Sequence, residues 1–105
     1  MTTNHQHGTH TYVLRVSGDS MVAVNGRTYP EGCVIYVDPD QRAGVVPGDK
    51  VVAKVNGAMA FRVLEDCGNK QFLRPLNPMY PAIHEEFFIL GKVIGAFYGE
   101  EVWDH

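Results

Sequence analysis

From Thr11 onward the chain is a series of short apolar runs cut by turn residues. Thr11-Tyr12-Val13-Leu14-Arg15-Val16 reads as a strand, broken by Ser17-Gly18-Asp19-Ser20-Met21. Tyr29-Pro30-Glu31-Gly32 is a turn signature leading into a second strand over 33–37, which Asp38-Pro39-Asp40 ends. A loop with Pro47-Gly48-Asp49 precedes Lys50-Val51-Val52-Ala53-Lys54-Val55. Asn56-Gly57 is the strongest hairpin signal in the chain, because both residues tolerate the positive φ of a type I′ turn. Ala58-Met59-Ala60-Phe61-Arg62-Val63-Leu64 returns, Gly68-Asn69 turns again, and Gln71-Phe72-Leu73-Arg74 follows. Pro75-Leu76-Asn77-Pro78-Met79-Tyr80-Pro81 is a crossing excluded from any central strand by its prolines. Residues 87–98 form a long apolar strand, bent at its glycines. No stretch holds a clean helical period, so the expected fold is all-β or nearly so: compact, mostly antiparallel, with several short strands and hairpins.

The length, 105 residues, allows one domain with a real core. Residues 1–10 read as a disordered polar lead-in or tag remnant, and 11–105 as the domain. His5, His7 and His10 in the lead-in could hold a metal weakly, but no acidic or Cys ligand joins them, so no metal or cofactor is expected. A net charge of −3 argues against nucleic-acid binding by this chain itself, since phosphates call for clustered Lys and Arg. No apolar run approaches the ~20 residues of a membrane span. The polar start shows no signal peptide, and Cys33 and Cys67 lack any disulfide or metal spacing. These features point to a cytoplasmic protein with reduced thiols and no membrane contact.

Chemistry concentrates at Gly18-Asp19-Ser20-Met21. A Ser after a Gly-containing turn can present its hydroxyl beside backbone N–H groups able to form an oxyanion hole, although such runs are more often plain turns. A nucleophilic Ser requires a base. The histidines available downstream are His84 and His105; the other solution is a desolvated, neutral Lys.

The segment Val13-Leu14-Arg15-Val16-Ser17-Gly18-Asp19-Ser20-Met21 resembles the nucleophile region of the self-cleaving LexA, UmuD and lambda-type phage repressor family (S24 peptidases). The likeness continues through Tyr29-Pro30-Glu31-Gly32, Tyr36-Val37-Asp38-Pro39 and Pro47-Gly48-Asp49. Phe72-Leu73-Arg74-Pro75-Leu76-Asn77-Pro78-Met79-Tyr80-Pro81 and Gly91-Lys92-Val93-Ile94-Gly95 look especially like the carboxy-terminal domain of lambda-type repressors. The resemblance implies a small β domain that follows a helix-turn-helix domain, dimerises the repressor and cuts the intervening linker when RecA filaments bind. It implies Ser20 as nucleophile, with Gly18, Asp19 and Ser20 as the oxyanion region. Counting back from Pro75-Leu76-Asn77-Pro78 places Arg62 where the family carries its general-base Lys.

Arg remains protonated in proteins and only donates, so Arg62 cannot take the Ser20 proton. The Asn56-Gly57 register pairs Lys54 with Met59 and Val51 with Arg62, which sends Lys54 to the opposite side of the hairpin from Arg62. No linker with an Ala-Gly or Cys-Gly bond precedes Ser20; Ala43-Gly44 lies downstream in another loop. The expected function is therefore dimerisation or higher oligomerisation of a phage or prophage repressor, with self-cleavage lost. An active self-cleaving protease of the LexA/UmuD type is the alternative. DNA would be met only through a helix-turn-helix domain outside this chain, and RecA or an antirepressor protein would be the regulatory partner. Residues 87–98 are apolar on both faces, which suits either a strand central to the core or half of an interface. The resemblance to dimeric repressors favours the second, with Phe87, Phe88, Ile89 and Leu90 as the expected dimer interface and Trp103 at its rim or folded back on its own domain.

Overall fold

The computed structural model describes residues 10–98 and the backbone of 101–104. Its strands are β1 (Tyr12–Arg15), β2 (Val34–Asp38), β3 (Lys50–Val55), β4 (Ala58–Cys67), β5 (Lys70–Arg74), β6 (Phe88–Tyr98) and β7 (Glu101–Asp104). They form one antiparallel sheet in the order β1-β2-β6-β3-β4-β5, with β7 also on β6. Among the described residues the fold is all-β apart from a 3-10 helix at Pro39–Gly44, where a strand end and loop were expected. Asp38 caps that helix, its carboxylate accepting from the Asp40 amide at 3.0 Å and from Gln41 Nε2 at 2.7 Å. Ala43-Gly44 closes the same helix, well separated in sequence from the serine turn.

The β3–β4 hairpin follows the expected register. Asn56 and Gly57 have φ of 52° and 83°, as a type I′ turn requires, and Lys54 pairs with Met59 while Val51 pairs with Arg62. No bulge interrupts this pairing.

β6 departs from simple alternation. Its register slips against β3 between Val52 and Ala53, and against β2 between Tyr36 and Val37. The residues skipped are Leu90 and Ile94, each beside a glycine. Each slip moves the alternation by one residue, so Leu90, Val93 and Ala96, three apart, all pack against one cluster. That cluster is built on Met21, Tyr29, Ile35, Val37, Val52 and Val63. A second cluster holds Val51, Ala53, Leu64 and Leu73, with Ile83, Phe87 and Ile89 packed against it.

β6 carries three of the four strand residues expected at an interface, Phe88, Ile89 and Leu90. It is apolar on both faces because it is central, with core on each side. Phe87, Ile89 and Leu90 pack against the chain's own clusters. Phe88 alone of the four is exposed, at 69%. β7 was not anticipated: Trp103 sits opposite Ala96 in it, and its side chain lies outside the described residues.

The expected lead-in, with His5 and His7, lies outside the described residues except for His10, whose exposed ring is 3.3 Å from Asp40. Among the described residues no group of His, Cys, Asp and Glu is placed to hold a metal ion, and no helix is long and apolar enough to cross a membrane.

Candidate functional site

The serine turn sits where β1 ends. Val16 closes β1 against the loop before β2, its amide donating to Cys33 O at 2.7 Å while its carbonyl accepts from the Gly32 amide at 2.9 Å. The chain then turns at Gly18, whose φ of +80° favours glycine, and brings Ser20 and Met21 inward. Ser20 is buried, and Met21 lies in the first core cluster. A packed residue directly after the serine fixes the turn to the core.

β4 supplies the facing wall. β5 pairs only with Val63–Cys67 of β4, so the Ala58–Arg62 half borders an open space on that side. The result is a cleft of about 420 Å³. Gly18, Asp19 and Ser20 line one side, and Met59, Phe61 and Arg62 the other. The structure therefore brings Ser20 and Arg62 to one cleft. Lys54 is exposed and is not part of its lining. His84 is also elsewhere, stacked on Phe72 at 5.0 Å between ring centroids. His105 lies outside the described residues.

Arg62 is half-buried. Its Nη1 donates to Phe61 O at 2.8 Å, while its Nε is buried without a partner. Burial lowers its pKa, and the neighbouring Tyr80 oxygen opposes that shift. Among the described residues no carboxylate lies within ion-pair distance of it.

Two residues of the Pro-punctuated crossing reach the serine turn, and the sequence reading gave neither a role. Asn77 donates from its backbone amide to Ser20 O at 3.0 Å and from Nδ2 to Asp19 O at 2.9 Å. Its Oδ1 accepts from the Met79 amide at 2.9 Å, and this Asx turn directs the chain to Tyr80. The Tyr80 hydroxyl donates to the Asp19 carboxylate, a bond that raises the phenol's pKa more than any other influence. The available signal was Asn77-Pro78, a turn-forming pair, but nothing local to it specifies a contact 58 residues back. Both cysteines are free; Cys33 is buried, which pushes its thiol pKa up, and Cys67 is exposed.

Residues 1–94 match the Peptidase S24-like family. Repressor protein C2 of Salmonella phage P22 is 43% identical over 93 residues, covering 82% of this chain and 41% of that protein. Prophage repressor CohE of Escherichia coli K12 is 38% identical over 93 residues, covering 83% of this chain and 39% of its own length. The HTH-type transcriptional regulator for conjugative element R391 of Providencia rettgeri is 43% identical over 75 residues, or 69% of this chain and 34% of its own length. The chain thus spans well under half the length of these relatives. With the family match running over residues 1–94 and a phage repressor this similar, the chain belongs to the Peptidase S24-like family.

Proposed function

We propose that this chain is the oligomerisation domain of a phage or prophage transcriptional repressor whose self-cleavage is silenced at Arg62. The relatives are repressors and transcriptional regulators by name, which supports the regulatory reading. The observation that carries the silencing is the half-buried Arg62 in the same cleft as Ser20. A hydroxyl becomes a nucleophile only when something accepts its proton, and a guanidinium offers donors alone. Lys54 and His84 lie outside the cleft, so neither substitutes. In this reading the domain works in the cytoplasm, joined to a helix-turn-helix domain that contacts DNA. With RecA-stimulated cleavage lost, an antirepressor that binds the domain releases the repressor.

The test is a serine-reactive phosphonofluoridate followed by mass spectrometry. The unchanged protein should remain unlabelled at Ser20 from neutral to mildly alkaline pH. Arg62→Lys, which restores a base that burial can neutralise, should label Ser20 with a rate that rises with pH. Adding Ser20→Ala should abolish that label. Ser20-dependent labelling of the unchanged protein would instead favour a working self-protease.

Self-association, in the same reading, uses the exposed row that crosses the sheet near the hairpin tip. Phe88 and Met59 flank Lys54 in register, and both are more than half exposed. Light scattering across a concentration series should show a dimer or larger species. Phe88→Glu should weaken association at least tenfold with the thermal melt unchanged. A monomer at every concentration would remove the proposal, and an assembly indifferent to Phe88→Glu would remove this surface from it.

A further inference from the structure

The least compensated group near the cleft is the guanidinium itself. Half-buried cations normally sit against an anion, because desolvation otherwise costs them. Arg62 has none among the described residues, and its buried Nε has no partner. Asp19, the acid lining the cleft, accepts the Tyr80 hydroxyl instead. Among the described residues the lining holds two guanidinium groups, Arg15 and Arg62, against that single carboxylate, so this part of the surface is locally positive in a chain of net charge −3. Arg15 is exposed and directs Nη1 to Gly32 O at 3.0 Å, which leaves Arg62 as the inner cation.

We infer that this cleft binds a peptide carboxylate, gripped by the Arg62 guanidinium and the Ser20 hydroxyl. With Nη1 on Phe61 O and Nε buried, the grip is a charge-assisted hydrogen bond from the N–H donors that remain on the guanidinium. A serine with no base keeps its proton and so can donate as well. Leu14, Val16, Ile35, Val52 and Phe61 supply an apolar wall for the side chains that flank the acid. A volume of about 420 Å³ suits two or three residues. The wall and the Asp19 carboxylate at the rim disfavour a phosphate dianion, which would bring more charge than one inner cation neutralises. This site takes its occupant without cutting it, and so rests on the reading of Ser20 as inert.

The probes are short peptides added to the unchanged protein and followed by amide shifts in NMR. One pair is N-acetylated Ala-Val-Leu ending in a free carboxylate or in a carboxamide. The other carries Asp or Asn within a peptide capped at both ends. The acid of at least one pair should bind tenfold or more tighter than its neutral twin, with shifts centred on Ser20 and Arg62. Which pair responds tells a chain terminus from an acidic side chain. Arg62→Gln should erase the preference, and Ser20→Ala should weaken the acid several-fold while leaving the neutral peptide unaffected. Equal affinities for acid and neutral forms, or no binding at millimolar peptide, would overturn the inference. That comparison uses unchanged protein, so it holds even if Arg62→Gln fails to fold. Mass spectrometry of the same samples reads the other proposal separately: a peptide cut or attached at Ser20 refutes inertness, whatever the affinities.

Discussion

Replacing Tyr29 by Ala should cost about 3–5 kcal/mol, a large part of the ~5–15 kcal/mol that typically separates folded from unfolded domains. The ring is fully buried in the first cluster and meets Phe61 edge-on, centroids 5.1 Å apart at 86°. Phe61 in turn lines the cleft, and the Tyr29 amide donates to Met21 O at 3.0 Å, one residue beyond Ser20. The lost ring therefore leaves a cavity directly behind the serine turn. Urea unfolding should show the midpoint falling with little change in slope. Tyr29→Phe keeps the ring and should cost much less. It also isolates a pH effect. Burial, more than any neighbour, pushes the Tyr29 phenol far above its ordinary value near 10; Arg27 opposes the shift and Cys33 adds to it. The folded state thus holds this proton more tightly than the unfolded chain does. Its contribution to stability is complete below about pH 10 and declines above it, by up to ~1.4 kcal/mol per pH unit, as the unfolded phenol ionises. The buried Cys33 thiol acts in the same direction, starting near pH 9. Midpoints compared between about pH 8 and about pH 11 should fall for both proteins, and fall less for Tyr29→Phe. An equal fall in the two would locate the alkaline sensitivity elsewhere.

The hairpin was legible because its determinants are local. Asn56-Gly57 fixes the turn, the turn fixes the register, and the register alone places Lys54 against Met59 and Val51 against Arg62. The serine turn was legible through Gly18. The glycine bend expected in β6 has its counterpart in bulges at Leu90 and Ile94, beside Gly91 and Gly95, but the strand alone does not specify where they fall. A bulge depends on what the partner strands do, and β2 and β3 approach β6 from distant parts of the sequence. The same holds for Asn77 and Tyr80, whose turn chemistry is local but whose targets, Asp19 and Ser20, are not. The cleft itself needs β5 to stop pairing at Val63, a matter of strand length that composition does not encode.

Gly91→Ala should destabilise the domain by about 1–3 kcal/mol, although alanine is ordinarily tolerated in a strand. Gly91 is buried in β6 opposite Val52, and a Cβ there would lie 2.5 Å from Val37 Cγ1 and 3.2 Å from the Asp38 carbonyl oxygen. The first contact is far inside van der Waals distance. Val37 has little room to yield, because it is itself fully buried and, being β-branched, is restricted at χ1. The carbonyl belongs to the residue that caps the 3-10 helix, so retreat of the backbone would disturb Asp38 as well. The penalty is thus steric overlap rather than backbone conformation, since Gly91 has no positive φ. That distinction is testable by a double-mutant cycle. Val37→Ala alone should cost stability through a cavity, but combined with Gly91→Ala it makes space for the new methyl. The pair should therefore be more stable than the sum of the single effects predicts, by about 1 kcal/mol or more. Simple additivity in urea midpoints would show that the overlap with Val37 is not the cause.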